Sequence, residues 1–314
     1  MELRHLRCFW AVHEELHFAR AAEKLHMEQS PLSRAIRELE DELGAQLFVR
    51  TSRSTRLTRA GKLFAGHVQR IFLSIQQARD SVKAAANGFH HQLRIALSDG
   101  ITPSRLPSLL ALCRQEEPEV ELRFFEVPLS QQIKGIRDDL YDVGLARSDE
   151  VGDGIVATPV WNDPLMVAVP ARHDLLKYRR IPLEEVLRFP LVLADPQMCE
   201  GLSRQVDKVL RRVDMEPLVA ERVASCDLMM ALVSAGFGLG LTGSAHITAS
   251  REQDVVARPL AGRSPMLMTY LLRPEGEPSG TLDRFIERVQ VIESPETRRP
   301  APRIDPDPTE EPKP

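Results

Sequence analysis

The stretch richest in reactive side chains lies near the N-terminus, where His13-Glu14-Glu15-Leu16-His17 spells H-E-x-x-H. On a helix that spacing sets two imidazoles a turn apart with a glutamate beside them as general base, the arrangement of zinc hydrolases. Its surroundings argue otherwise. Leu6, Phe9, Trp10, His13 and Leu16 recur three or four apart, which predicts a helix over 4–16 with His13 on its apolar face. A histidine there is a packed core residue, so no metal is expected. The four cysteines, Cys8, Cys113, Cys199 and Cys226, contain no C-x-x-C pair, and neither a disulfide framework nor a structural zinc site follows. Cys199 and Cys226 lie 27 residues apart and leave a thiol-based redox response open, although no basic residue adjoins either to lower its pKa. There is no G-x-S-x-G, no Walker loop and no G-x-G-x-x-G opening a helix after a strand, so neither an enzyme nor a cofactor is expected.

Charge points to a different chemistry. The net charge of −4 divides unevenly: residues 1–91 hold 14 Lys/Arg against 10 Asp/Glu, whereas residues 92–314 hold 27 against 35. Between Arg50 and Lys62 stand five basic residues and no acid. A basic N-terminal unit on an acidic body is the pattern of a polyanion-binding head. The opening "MELRHLRCFW" lacks the apolar core of a signal peptide, and no run reaches the ~18–20 apolar residues of a membrane span. A cytoplasmic address without membrane partners is expected.

The elements that must position this charge are legible from periodicity. "FARAAEKL" is a short helix, and "SPLSRAIRELEDELG" a second, with Ser30 as N-cap, Pro31 at its first position and Gly44 as its stop. Leu32, Ile36, Leu39 and Leu43 form the inward stripe of the second helix. Ser30, Ser33, Arg34 and Arg37 gather on the other side, where hydroxyls and guanidiniums reach phosphates and base edges. Two such helices make a helix-turn-helix. "QLFVRTSRSTRLT" adds two short strands around Arg53, a wing able to enter a minor groove. From Thr58 the apolar residues Phe64, Val68, Ile71, Ile75, Ala78, Val82 and Ala85 alternate steps of four and three, as on a dimerising coiled-coil helix. A DNA head on a dimerising helix predicts a two-fold symmetric double-stranded DNA site.

Residues 6–61, "LRCFWAVHEELHFARAAEKLHMEQSPLSRAIRELEDELGAQLFVRTSRSTRLTRAG", carry the blocks A-A-x-x-L, Q-S-x-L-S-R-x-I-x-x-L-E, L-G-x-x-L-F-x-R and L-T-x-A-G in order. In this they resemble the LysR-type transcriptional regulators. The resemblance implies that Gln29, Ser30, Pro31, Ser33, Arg34 and Arg37 meet DNA, with Arg50 and Arg53 as backbone or wing contacts. It also accounts for H-E-E-L-H: His13 stands where relatives usually have alanine. His17 and Glu28 depart from the serines found in many members.

In the remainder, apolar strands such as "LRIALS", "EVELRFFEV", "YDVGLAR", "PLVLAD" and "GFGLGLTG" alternate with helical segments, which argues for parallel sheets covered by helices. "VWNDPLMVAVPA" and "RPLAGRSPMLMTYLL" read as crossover strands between two lobes. The expected architecture is α/β with an all-α, winged N-terminal head: a winged helix-turn-helix (1–58), a linker helix (59–91), and a two-lobed effector domain (92–292). Lobe I would comprise 92–161 and 266–292, and lobe II 162–265. The family resemblance gives this domain the periplasmic-binding-protein fold with a ligand cleft between lobes. Residues 293–314, with seven prolines in 22 positions, are expected to be disordered.

Ligands of open α/β sheets sit beyond the carboxyl ends of the strands. That rule selects Ser98, Asp99, Gly100, Thr102, Leu129, Ser130, Arg147, Ser225 and Thr242. Helix N-termini there suit a carboxylate, and Arg147 is the one cation among these residues: either a clamp for an organic acid or a partner of Asp149 or Asp163. "EVPLSQQ…LYDVGLAR" resembles the branch that senses intermediates of aromatic catabolism, with Leu129 where that branch often has a cleft threonine. A homodimer or homotetramer is implied.

Overall fold

The computed structural model describes residues 1–50, 55–86, 89–98, 100–101, 105–250, 252 and 254–292. The chain separates into two units, Met1–Lys83 and Ala84–Pro314. Arg53, Asp99, Thr102 and the 293–314 tail, singled out above, lie outside the described residues.

The head opens with α1 (Leu3–Glu15), which turns His5, Leu6, Cys8, Phe9, Ala11 and Val12 inward. Leu16 ends it in the left-handed region (φ 45°), donating its N–H to Val12 O, and is exposed rather than on the buried stripe. The next helix, α2 (Phe18–Lys24), buries Phe18 together with Ala21 and Ala22, and the small side chains of the two alanines let α1 and α3 (Gln29–Leu43) approach. At the end of α3, Gly44 takes φ 65°, a conformation that costs glycine nothing. Two strands, β1 (Phe48–Arg50) and β2 (Thr55–Leu57), pair antiparallel as the base of a wing. Glu40 ties the wing to α3 by accepting the Leu47 and Phe48 N–H groups at 2.8 and 3.1 Å. The Thr58 hydroxyl accepts Gly61 N–H at 2.9 Å at the start of α4 (Arg59–Ala86), whose 28 residues span roughly 42 Å.

The body contains β3 (His91–Leu97), α5 (Leu106–Glu116), β4 (Val120–Glu126), α6 (Leu129–Arg137) and β5 (Val143–Ala146). Next come β6 (Ile155–Pro170), α7 (Leu183–Val186), β7 (Leu191–Ala194), α8 (Glu200–Leu210) and β8 (Val219–Val223). It closes with α9 (Cys226–Ser234), β9 (Leu239–Gly243), α10 (Ser244–Ala249), β10 (Val255–Pro259), β11 (Met266–Pro274) and α11 (Gly280–Val291). The strands run β4-β3-β5-β11-β6-β9-β7-β8, with β10 also on β6. In lobe I, β3 lies parallel to β4 and β5; in lobe II, β7 lies parallel to β8 and β9. The long β6 joins them, pairing antiparallel with β11 through its first half and with β9 and β10 through its second. The sheets are therefore mixed rather than purely parallel, because the crossover strands run against their neighbours. Strands β5 and β7 are buried at every position, as expected of strands covered on both faces. The last helix returns to lobe I, where Phe285 enters the core and Trp161 Nε1–H donates to Val289 O at 2.9 Å.

Candidate nucleic-acid interface and effector cleft

On α3, Leu32, Ile36 and Leu39 are fully buried and fix which side faces out; Leu43, expected among them, is exposed. The helix starts two residues earlier than expected. Glu28 holds the N-cap position without a side-chain cap, so Ser30 and Pro31 lie in the first turn. Proline is tolerated there because first-turn N–H groups have no helical acceptor. Gln29, Ser30, Pro31, Arg34 and Arg37 are exposed and Ser33 half-buried. Among the described residues neither Arg34 nor Arg37 is held in an ion pair, which leaves both guanidiniums available to an incoming polyanion. Periodicity missed two residues beside them: Arg4 and Arg7 of α1 line, with Pro31 and Arg34, a groove of about 490 Å³. Their signal was an R-x-x-R spacing opposite the apolar stripe. Arg50 contributes its backbone to β1.

The seam expected to meet a partner helix divides in two. Val68 is fully buried in the head's own core, with Phe64 and Ile71 packed against that core, so these three are largely covered by their own chain. Farther along α4, Ile75 is half-buried, Ala78 exposed and Val82 70% exposed.

H-E-x-x-H does not lie on one helix. α1 ends at Glu15, and His17 caps α2, its Nδ1 accepting Arg20 N–H at 3.4 Å. His13 packs on Trp10, ring centroids 5.0 Å apart. Glu14 accepts from Lys24 Nζ at 2.7 Å and Trp10 Nε1 at 3.0 Å. The Lys24 hydrogen bond holds its carboxyl below the usual range, so it is a tethered anion rather than a free base.

In the body, a cleft of about 410 Å³ opens between the lobes. Lobe I contributes Leu97, Ser98, Gly100, Ile101, Leu106 and Leu110, with Glu126 at the end of β4; lobe II contributes Cys199, Ser225, Cys226, Asp227 and His246. Of the expected residues it thus gathers Ser98, Gly100 and Ser225. Leu129, Arg147 and Thr242 do not line it: they are 1%, 1% and 0% exposed. Leu129 turns inward with Gln132 and Ile136, the spacing of α6's buried face. Arg147 lies near Asp163 beneath the cleft: a Cβ added to Gly243 would sit 1.9 Å from Asp163 Oδ2 and 3.6 Å from Arg147 Nη2. Asp163 accepts the Ser244 hydroxyl at 2.6 Å. Ser130 is on the surface, its N–H donating to Glu200 Oε1 of α8 at 2.9 Å, so this helix N-terminus is already occupied by the protein's own carboxylate.

Sequence reasoning overlooked Glu126, His246 and Asp227. His246 is buried, and desolvation, reinforced by the Arg147 charge, lowers its pKa to about 4; it is a neutral imidazole near pH 7. Gly100, at φ 58°, brings its backbone to the His246 ring from the opposite lobe. The two cysteines singled out above both line the cleft: Cys199 Sγ donates to Ala224 O at 3.2 Å, and Cys226 Sγ lies 3.5 Å from Thr242 Oγ1. Burial raises the thiol pKa of Cys8 and Cys113, which makes them inert.

A winged helix-turn-helix with an open arginine face, joined through a long helix to a two-lobed domain with a cleft, defines a ligand-responsive DNA-binding regulator. Residues 3–62 match the family model "Bacterial regulatory helix-turn-helix protein, lysR family", and residues 86–291 match "LysR substrate binding domain". The chain belongs to the LysR family of transcriptional regulators. It is 32% identical over 294 residues to the Hca operon transcriptional activator HcaR of Escherichia coli, covering 92% of this chain and 97% of that one. With the regulator BenM of Acinetobacter baylyi it shares 32% identity over 243 residues, 77% of this chain and 80% of BenM. Among solved structures it resembles full-length CbnR complexed with its target DNA, with a TM-score of 0.73, 26% identity and coverage of 92% of this chain and 99% of that one.

Proposed function

We propose that the chain binds a two-fold symmetric operator as a homo-oligomer in the cytoplasm, and that a small molecule in the inter-lobe cleft alters this binding. The observation that carries the DNA half is the α3 face: Gln29, Ser30, Pro31, Arg34 and Arg37 exposed, with both arginines outside any ion pair among the described residues. The mate of each head is offered by the distal part of α4, where Ala78 and Val82 are exposed at seam spacing. Support for the ligand half is the 410 Å³ cleft, of a size and apolar character suited to one small molecule. The resemblance to CbnR, solved on its target DNA, and to operon activators accords with this reading.

The test is a footprint of the full chain on the DNA flanking its own gene. Two protected half-sites related by a dyad are expected, with protection lost in Arg34→Ala. Protection of a single asymmetric patch, or none, would refute the two-fold reading.

A further inference from the structure

Helix α8 belongs to lobe II but is tied along its outer face to lobe I. Leu202, Val206, Val209 and Leu210 sink into the lobe II core, so the helix moves with that lobe. Glu200, Arg204, Gln205 and Lys208 face the other way, and each reaches a group of lobe I.

In the middle of the helix, Gln205 meets the hinge. Strand β5 pairs with β11 as far as Ala146 opposite Tyr270 and then leaves it. There the Gln205 carboxamide takes over. Its Nε2 donates to Arg147 O at 2.6 Å and Met268 O at 2.8 Å, and its Oε1 accepts Met268 N–H at 2.8 Å. Met268 lies on β11 beside the long β6 that joins the lobes, so this contact sits at the pivot and can hold while the lobes rotate.

The contacts away from the pivot are of another kind. Glu200 Oε1 accepts Ser130 N–H at 2.9 Å at the start of α6, where a first-turn N–H has no helical acceptor. Glu150 of lobe I takes Arg204 at 3.1 Å and Lys208 at 3.5 Å. Glu150, Arg204 and Lys208 are exposed, and pairs of that kind are individually weak and screened by salt. The Glu200 contact also borders the cleft. Cys199, adjoining Glu200, lines it from lobe II, and Glu126, at the end of the strand that leads to α6, lines it from lobe I.

We propose that α8 is a latch between the lobes: Gln205 pins it at the pivot, and the Glu200–Ser130 and Glu150 contacts form a releasable catch that sets how far the cleft opens. The proposal concerns the opening of the cleft and does not depend on which molecule enters it.

The experiment is hydrogen exchange of the full chain, read by mass spectrometry, comparing the parent with Glu200→Ala, Glu150→Ala and Gln205→Ala. Releasing the catch opens both cleft walls, so exchange in segments 105–112 and 224–230 is expected to rise at least about threefold in each of the first two variants. The pivot segments 143–147 and 267–271 should exchange in those variants as in the parent, and faster only in Gln205→Ala. Glu150 is exposed and lies outside α8, so its variant tests the catch even where loss of Glu200 disturbs the first turn of that helix. A rise confined to Ser130 and its immediate neighbours, with both walls unchanged, overturns the latch. So does a pivot that loosens together with the catch in Glu150→Ala.

Discussion

Arg34 and Arg7 face the same groove, but their reach differs, and so do their expected roles. Arg34 projects from the recognition helix, where a guanidinium can fork onto a guanine; Arg7 stands on α1 beside it, placed for phosphate. Arg34→Ala should cost on the order of 1–3 kcal/mol of discrimination between operator and unrelated DNA. Arg7→Ala should weaken both alike and reduce the slope of log K against log salt by about 1. Binding isotherms on the two DNAs at several salt concentrations separate these outcomes, and equal effects from both variants would refute the division. His246 makes a prediction of another kind. Its folded pKa of about 4 lies below the ordinary 6.5, so between those values the unfolded chain binds more protons than the folded one. Stability from this group is complete above pH 6.5 and drains away as pH falls toward 4. Acidification from pH 7 to 5 should therefore cost about 2 kcal/mol through His246 alone. Denaturant melts of His246→Gln should show a shallower loss over that window, and a slope equal to the parent's would mean that other groups carry it.

The division of α4 is the sharpest feature at the scale of elements. Val68 and Val82 occupy equivalent seam positions two heptads apart, yet one is fully buried in the head and the other 70% exposed. Val68→Asp should unfold the head, at a cost of about 3 kcal/mol or more, because it buries a charge without a partner. Val82→Asp should leave each chain folded and dissociate the oligomer, which sedimentation velocity beside circular dichroism would detect. If Val82→Asp sediments as the parent does, the distal seam is not the contact. This case also shows what a sequence can and cannot disclose. A heptad pattern marks an apolar stripe but does not say what covers it, and here the first half of the stripe serves the chain's own core. The head was legible in detail because every helix declares its buried side by spacing, as Leu32, Ile36 and Leu39 do. The alternation of strands and helices likewise disclosed the two lobes and the crossover of β6 with β11. The cleft was legible only in outline. The strand-end rule locates the ends of β3 and β9 and the start of α6, but not which way Leu129 or Arg147 turns, and burial turned both away. Glu126 closes an otherwise half-exposed strand and reads as surface, while a single histidine after "TGS" carries no periodic signal at all.

At the scale of the whole molecule, the uneven charge becomes functional once copies associate. A basic head reaches DNA, while the acidic body, eight charges in deficit, is repelled by it, so specific contact concentrates in the helix-turn-helix. A single head reads only one side of a short half-site; affinity enough to find an operator requires two heads whose spacing is fixed by the oligomer. That constraint is testable on DNA alone. In a pair of heads held by paired α4 helices, both recognition helices must meet the major groove on compatible faces of the duplex, so half-site centres should repeat at about 10 base pairs or multiples of it. Inserting about 5 base pairs between the half-sites rotates one of them to the opposite face and should abolish cooperative binding, whereas inserting about 10 should restore much of it. Val82→Asp provides the internal control: without pairing through α4, both inserted sites should bind as weakly as an isolated half-site. If the parent chain tolerates the half-turn insertion as well as the full turn, its heads are not rigidly phased. Any effect of the effector would then have to act on affinity rather than on the distance between heads.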